Sequence, residues 1–145
     1  MKLNSGFTLI EMLLSVSIIG VMALMSVPVY QSFQTRNDLD ITATSVAESI
    51  RRGQVLAQGM DGDTLWGVRI ETGNIVIFKG SSFTLRDSEF DEVFAVPASI
   101  TPSGISEITF AKLSGLPSVN GTITLTSSAN ETRNISINQK GMVSL

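Results

Sequence analysis

Gly6-Phe7-Thr8-Leu9-Ile10-Glu11-Met12-Leu13-Leu14 opens an apolar stretch that continues to about Phe33, and no charged residue follows Glu11 until Arg36. A run of this length can cross a bilayer, which takes roughly 20 predominantly apolar residues. Glu11 is the exception within it. A carboxylate costs about 2.5 to 3.5 kcal/mol at the centre of a membrane helix. It therefore requires either a cationic partner or a place in the first helical turn, where the helix dipole favours a negative charge.

The residues before it favour the partner. Met1-Lys2-Leu3-Asn4-Ser5-Gly6 is short, polar and singly basic. An ordinary secretory signal joins a basic start to a shorter apolar segment and a small-residue cleavage site. Here the apolar segment is too long, and no such site follows. Cleavage after Gly6 would instead give Phe7 a new α-amino group, four residues from Glu11. Cation and carboxylate would then neutralise one another, within one chain or between two.

Gly6-Phe7-Thr8-Leu9-Ile10-Glu11 followed by a long apolar helix resembles the N-terminal signature of type IV pilins and type II secretion pseudopilins. The resemblance implies that a prepilin peptidase cuts after Gly6 and N-methylates Phe7. It also implies that Glu11 pairs with the amine of a neighbouring subunit as a filament grows. The implied partners are the peptidase, other pilin or pseudopilin subunits, and the lipid bilayer before assembly.

The chain has 145 residues, net charge −3, and neither Cys nor His. That length holds one domain besides a membrane helix. The charge argues against a strongly basic nucleic-acid surface. Without Cys no disulfide forms, and without both residues the usual zinc ligands, His bases and Cys nucleophiles are missing. No metal or cofactor is expected. Carboxylate pairs could do acid–base work, but nothing in the sequence brings two of them into a cleft, so no enzyme is expected.

Four segments follow: a leader over 1–6, a transmembrane or filament-core helix over 7–34, an amphipathic continuation over 35–58, and a β-rich head over 59–145. In the third segment Leu39, Ala43, Val46, Ala47, Ile50 and Ala57 form one stripe at helical period. Gly59 ends the helix. Gly20 and Pro28 are weak points, and Pro28 is a candidate kink. The whole helix would be a rod of roughly 75 Å.

In the head the pattern changes to alternation. Leu65 to Glu71 sets Trp66, Val68 and Ile70 on one face, and Gly73-Asn74 turns into Ile75 to Lys79, a hairpin. Weaker strand candidates are Phe94 to Val96 and Ile105 to Ala111. Thr122 to Thr126, Asn134 to Asn138 and Met142 to Leu145 complete the set. Ser81 to Glu92, with Asp87, Glu89, Asp91 and Glu92, reads as a solvated surface loop rather than a Ca²⁺ site, because it lacks regular ligand spacing. Asp61-Gly62-Asp63 reads as a turn, Arg51-Arg52 as a solvated helix face, and Trp66 as a core anchor. The fold class is α+β, with the long N-terminal helix packed on an antiparallel β-sheet head.

The head pattern also resembles the H-type minor pseudopilins and the minor pilins of DNA uptake. The latter carry an Arg-rich motif around the final glycine. This chain has Lys140-Gly141-Met142-Val143-Ser144-Leu145, with one Lys and no Arg, so nucleic acid is not an expected partner.

The resemblance thus implies a minor pilin or pseudopilin precursor of a type IV pilus-like or type II secretion filament. It would be single-pass in a prokaryotic inner membrane with its head outside the cytoplasm. The alternatives are a DNA-capturing minor pilin and a single-pass anchored, exported binding domain.

Overall fold

The computed structural model describes residues 6–59 and 64–145, with the side chains of 25–29 outside the description. Leader residues 1–5 and the Asp61-Gly62-Asp63 turn lie outside the described residues. The chain divides into two compact units between Gln34 and Thr35. Helix α1, Leu9–Gln58, contributes to both and is assigned continuously through Gly20 and Pro28. The kink expected at Pro28 falls among the side chains outside the description.

In the first unit every described residue from Gly6 to Leu24 is exposed. Ser15 and Ser17 do not interrupt the apolar surface. Their hydroxyls donate back to the carbonyls of Glu11 and Leu13, each at 2.8 Å, which satisfies them within the helix. Among the described residues, no helix is long and apolar enough to cross a membrane. The described side chains of the apolar run stop at Leu24 and resume at Tyr30.

In the second unit α1 turns one face inward. Leu39, Ala43, Val46, Ala47, Ile50 and Ala57, the residues of the predicted stripe, are all buried. Residues three and four apart share a helix face, so the stripe is continuous. Thr42 can join it because its hydroxyl donates to the Asp38 carbonyl at 2.7 Å. Gly53 lies on the same face, where a Cβ would come within 2.9 Å of Val68 Cγ2. A side chain there would push the helix off the strand beneath it.

Eight strands follow: β1 Trp66–Glu71, β2 Asn74–Lys79, β3 Asp87–Ala95, β4 Ile100–Gly104, β5 Glu107–Phe110, β6 Gly121–Ser127, β7 Thr132–Ile137 and β8 Val143–Ser144. They form two four-stranded sheets, ordered β3-β2-β1-β5 and β4-β6-β7-β8. All the strand pairs are antiparallel. Val68, Ile70, Ile75, Ile77, Ile108 and Phe110 from the first sheet join Ile100, Ile123, Leu125, Ile135 and Ile137 from the second. With the α1 stripe they make one core. Each fully buried aliphatic or Phe side chain contributes about 1.5 to 3 kcal/mol as an upper estimate.

The outer face of the first sheet has its own cover. Phe78 lies over Gly67, its cross-strand partner, where a Cβ would sit 2.3 Å from the ring. Phe83 meets Phe78 edge-on at 5.7 Å between centroids. The guanidiniums of Arg69 and Arg86 approach the Phe83 ring at 5.6 and 3.8 Å, a favourable cation–π geometry.

Three sequence expectations need correction. The acidic segment Ser81 to Glu92 is not a loop throughout: after a short 3-10 turn at Phe83–Leu85 it becomes the first part of β3. Ion pairs make this possible, because Asp91 binds Arg86 at 2.8 Å and Glu92 binds Arg52. The hairpin turns at Thr72-Gly73 rather than Gly73-Asn74, with Glu71 opposite Asn74 and Gly73 at φ 95°. The head contains two sheets where one was expected, since β4 pairs with β6 across the intervening β5. Pro102 fits within β4 because β4 is an edge strand, where proline is tolerated.

Candidate functional site

The predicted assembly residues sit at the start of α1. Gly6, Phe7 and Thr8 precede the helix. The Met12 N–H donates to the Thr8 carbonyl at 3.2 Å, the first helical bond. The Glu11 N–H donates to Thr8 Oγ1 at 3.4 Å. Thr8 is therefore the N-cap and Glu11 the third helical residue, the spacing of a capping box. Glu11 lies where the helix dipole favours a carboxylate, and its side chain points to no cation among the described residues. Thr8 is the residue that sequence reasoning passed over. Its signal was legible: a threonine three positions before a glutamate at the head of an apolar run.

Phe7, at 76% exposure, and the apolar residues after it are uncovered in the single chain. A helix that is apolar on every side belongs in a lipid or protein interior. The chemistry available at this end is thus association, with one carboxylate at the rim of an apolar surface. The described residues contain no group of His, Cys, Asp or Glu that could hold a metal ion.

The head spends its arginines internally. Arg36 binds Glu131 at 2.8 Å and Arg133 binds Asp40 at 2.7 Å, tying α1 to β7 and the turn before it. Arg52 grips Glu92 with two bonds of 2.5 and 2.6 Å. The bonds from Arg52 hold the Glu92 carboxyl below its ordinary value, against a smaller opposing effect of burial. Arg69 bridges Glu71 and Glu107. The Arg51-Arg52 pair is thus divided rather than presented together, because Arg51 Nη2 reaches the Val143 carbonyl at 3.3 Å. Duplex DNA is held chiefly by cations free to neutralise phosphates.

Similarity to known proteins falls on both units. Residues 1–27 match the family model for the prokaryotic N-terminal methylation motif. A fimbrial protein of Pseudomonas aeruginosa is 31% identical over 108 residues, covering 74% of this chain and 60% of that protein. A fimbrial protein of Moraxella nonliquefaciens is 34% identical over 80 residues, covering 50% of this chain and 51% of that protein. The chain therefore spans only part of the length of these relatives. The fold is similar to that of the minor pseudopilin EpsH from the type 2 secretion system of Vibrio cholerae. That match has TM-score 0.55 and 12% identity, and covers 74% of this chain and 95% of that one. The methylation motif and the fimbrial relatives support a place for the chain in the type IV pilin and pseudopilin family, and its helix packed on antiparallel sheets is similar to the pseudopilin fold.

Proposed function

We propose that this chain is the precursor of a minor pilin or pseudopilin, a non-enzymatic structural subunit of a type IV pilus-like or type II secretion filament. Prepilin peptidase cuts after Gly6 and methylates Phe7. Residues 7–34 hold the subunit in the inner membrane as a single span, with residues 35–58 and the head over 59–145 outside the cytoplasm. On assembly the apolar helix leaves the lipid and packs against helices of other subunits. Glu11 then meets the Phe7 amine of a neighbour.

The observation that carries this reading is the match over residues 1–27, with Gly6-Phe7 and Glu11 in register before an exposed apolar helix. The Thr8 cap supports it by placing Glu11 in the first turn rather than deep in the helix.

The test is Glu11→Ala in cells that carry the assembly machinery. Membrane insertion should persist, since removing a carboxylate eases transfer into lipid. Incorporation should fail, because the neighbouring amine would be left unpaired in a low-dielectric core. Wild-type amounts of Glu11→Ala in sheared filaments would refute the pairing.

A further inference from the structure

A strand at the edge of a sheet offers unpaired N–H and C=O groups to any chain that can lie beside it. The two sheets of the head have four such edges, β3, β5, β4 and β8. Three are closed to a partner. The segment after β5 folds back along it: the Ala111 N–H donates to the Leu116 carbonyl at 2.9 Å, and the Ser118 N–H to the Thr109 carbonyl at 2.8 Å. β4 carries Pro102, which has no N–H to give. β8 is two residues long. β3 differs from all of these. It has nine residues and, among the described residues, pairs with β2 alone.

The first part of β3 is guarded by a register shift between Ile77 and Lys79 and by the charges of Asp87 and Glu89, both devices that discourage edge pairing. The second part is not. The Val96 N–H donates to the Gly73 carbonyl at 2.8 Å. Bonded pairs alternate along an antiparallel ladder, so the N–H and C=O groups of Phe94 and Glu92 also face β2. Those of Asp91, Val93 and Ala95 therefore face outward. Val93 and Phe94 are 59% and 40% exposed.

Beside this open edge lies a hollow of about 170 Å³, lined by Phe94 and by Ser45, Glu48, Ser49 and Arg52 of α1. The two serines are small, which leaves room for a side chain from outside. Side chains of a strand alternate between its faces, so a strand laid along β3 would send every second one towards α1. The charge of Arg52 is met by its two bonds to Glu92. Glu48, Asp87 and Glu89 form no ion pair among the described residues.

We propose that residues 91–95 of β3 form a peptide-binding edge, which takes an extended basic segment of another protein as an added strand. The outward backbone groups of Asp91, Val93 and Ala95 bond the segment. A lysine or arginine of the segment lays its aliphatic stem on Phe94 and its charge at Glu48. Main-chain bonds supply the affinity in such a site, and the hollow selects the side chain. A second copy of β3 is a poor occupant, because that strand has no Lys or Arg to offer Glu48 and would gather carboxylates of one sign at the seam. The edge belongs to the head alone, so the inference stands apart from filament assembly.

The probe is the peptide Thr-Lys-Thr-Val-Thr-Lys-Thr, dye-labelled at its amino end and amidated at the other. It is titrated with full-length chain in nonionic detergent at about 0.15 M salt and followed by fluorescence anisotropy. Saturable binding is expected, and none when glutamate replaces both lysines. The same peptide methylated on every backbone nitrogen keeps its side chains and charge but cannot donate, and should bind at least about tenfold more weakly. Val93→Pro should weaken binding as much from the protein side. It removes an outward N–H, a change that edge strands tolerate, so urea unfolding followed through Trp66 should stay cooperative. Glu48→Gln should weaken binding about fivefold, as one charge-assisted contact is lost.

No saturable binding to the wild-type chain up to about 1 mM would overturn the proposal. Equal binding of the methylated peptide would reduce the contact to surface charge and overturn it too, and this comparison decides even if Val93→Pro does not fold. Undiminished binding by folded Val93→Pro, or by Glu48→Gln, would place the peptide elsewhere with the same consequence.

Discussion

Val16 and Val46 are the same residue on the same helix in opposite surroundings: Val16 is 65% exposed and Val46 fully buried. The difference lies in their neighbours. Around Val16 the helix is apolar on every side, so no face is distinguished, and none of the described residues buries it. Around Val46, the polar Asp40, Thr44 and Glu48 leave one apolar stripe, and two sheets close over that stripe. An amphipathic helix is satisfied by its own chain, whereas one apolar all round requires a surrounding from outside it.

The sharpest way to break this contrast is to place one charge in each half. Val46→Asp should abolish cooperative folding of the head, since an unpaired buried carboxylate costs several kcal/mol. Val16→Asp should leave the head's unfolding unchanged. Urea denaturation in detergent, followed through the fluorescence of Trp66, compares them directly. Equal effects would erase the distinction.

Phe110 and Phe33 make a milder pair. Phe110 is fully buried and Phe33 exposed. Phe110→Ala should cost about 3 to 5 kcal/mol in the same titration, and Phe33→Ala nothing measurable. Smaller again is Gly67→Ala, which forces a methyl against the Phe78 ring. Overpacking of this kind costs about 1 to 3 kcal/mol. A stabilised Gly67→Ala protein would mean that the ring has room to move.

The smallest effect is that of acid on the Arg52–Glu92 pair. The Glu92 carboxyl is held below its ordinary value near 4.5 by Arg52. Its contribution to stability is therefore complete above that pH and is lost as pH falls through the lower, folded value. Glu92→Gln should flatten this part of the pH–stability curve without changing its neutral plateau by much, because the pair is solvent-exposed. An unchanged acid slope in Glu92→Gln would assign the slope to other carboxylates.

The helix stripe was legible because periodicity alone defines it, as was the first hairpin through its alternation and its glycine. β3 was not. Its acidic residues mask the alternation of Phe90, Glu92 and Phe94, and its partners, Arg52 above all, lie far away in sequence. The division into two sheets was hidden because it depends on β4 bypassing β5 to reach β6, a non-local choice. At the amino terminus, Gly6, Phe7 and Glu11 stood out through one charge in an apolar run. The cap at Thr8 needed the hydrogen bond to be noticed.

The most direct measurement is the mass of the mature amino terminus after co-expression with a prepilin peptidase. The account predicts a chain beginning at N-methylated Phe7. An intact Met1, with unchanged mobility, would contradict it and leave the apolar helix as a plain anchor.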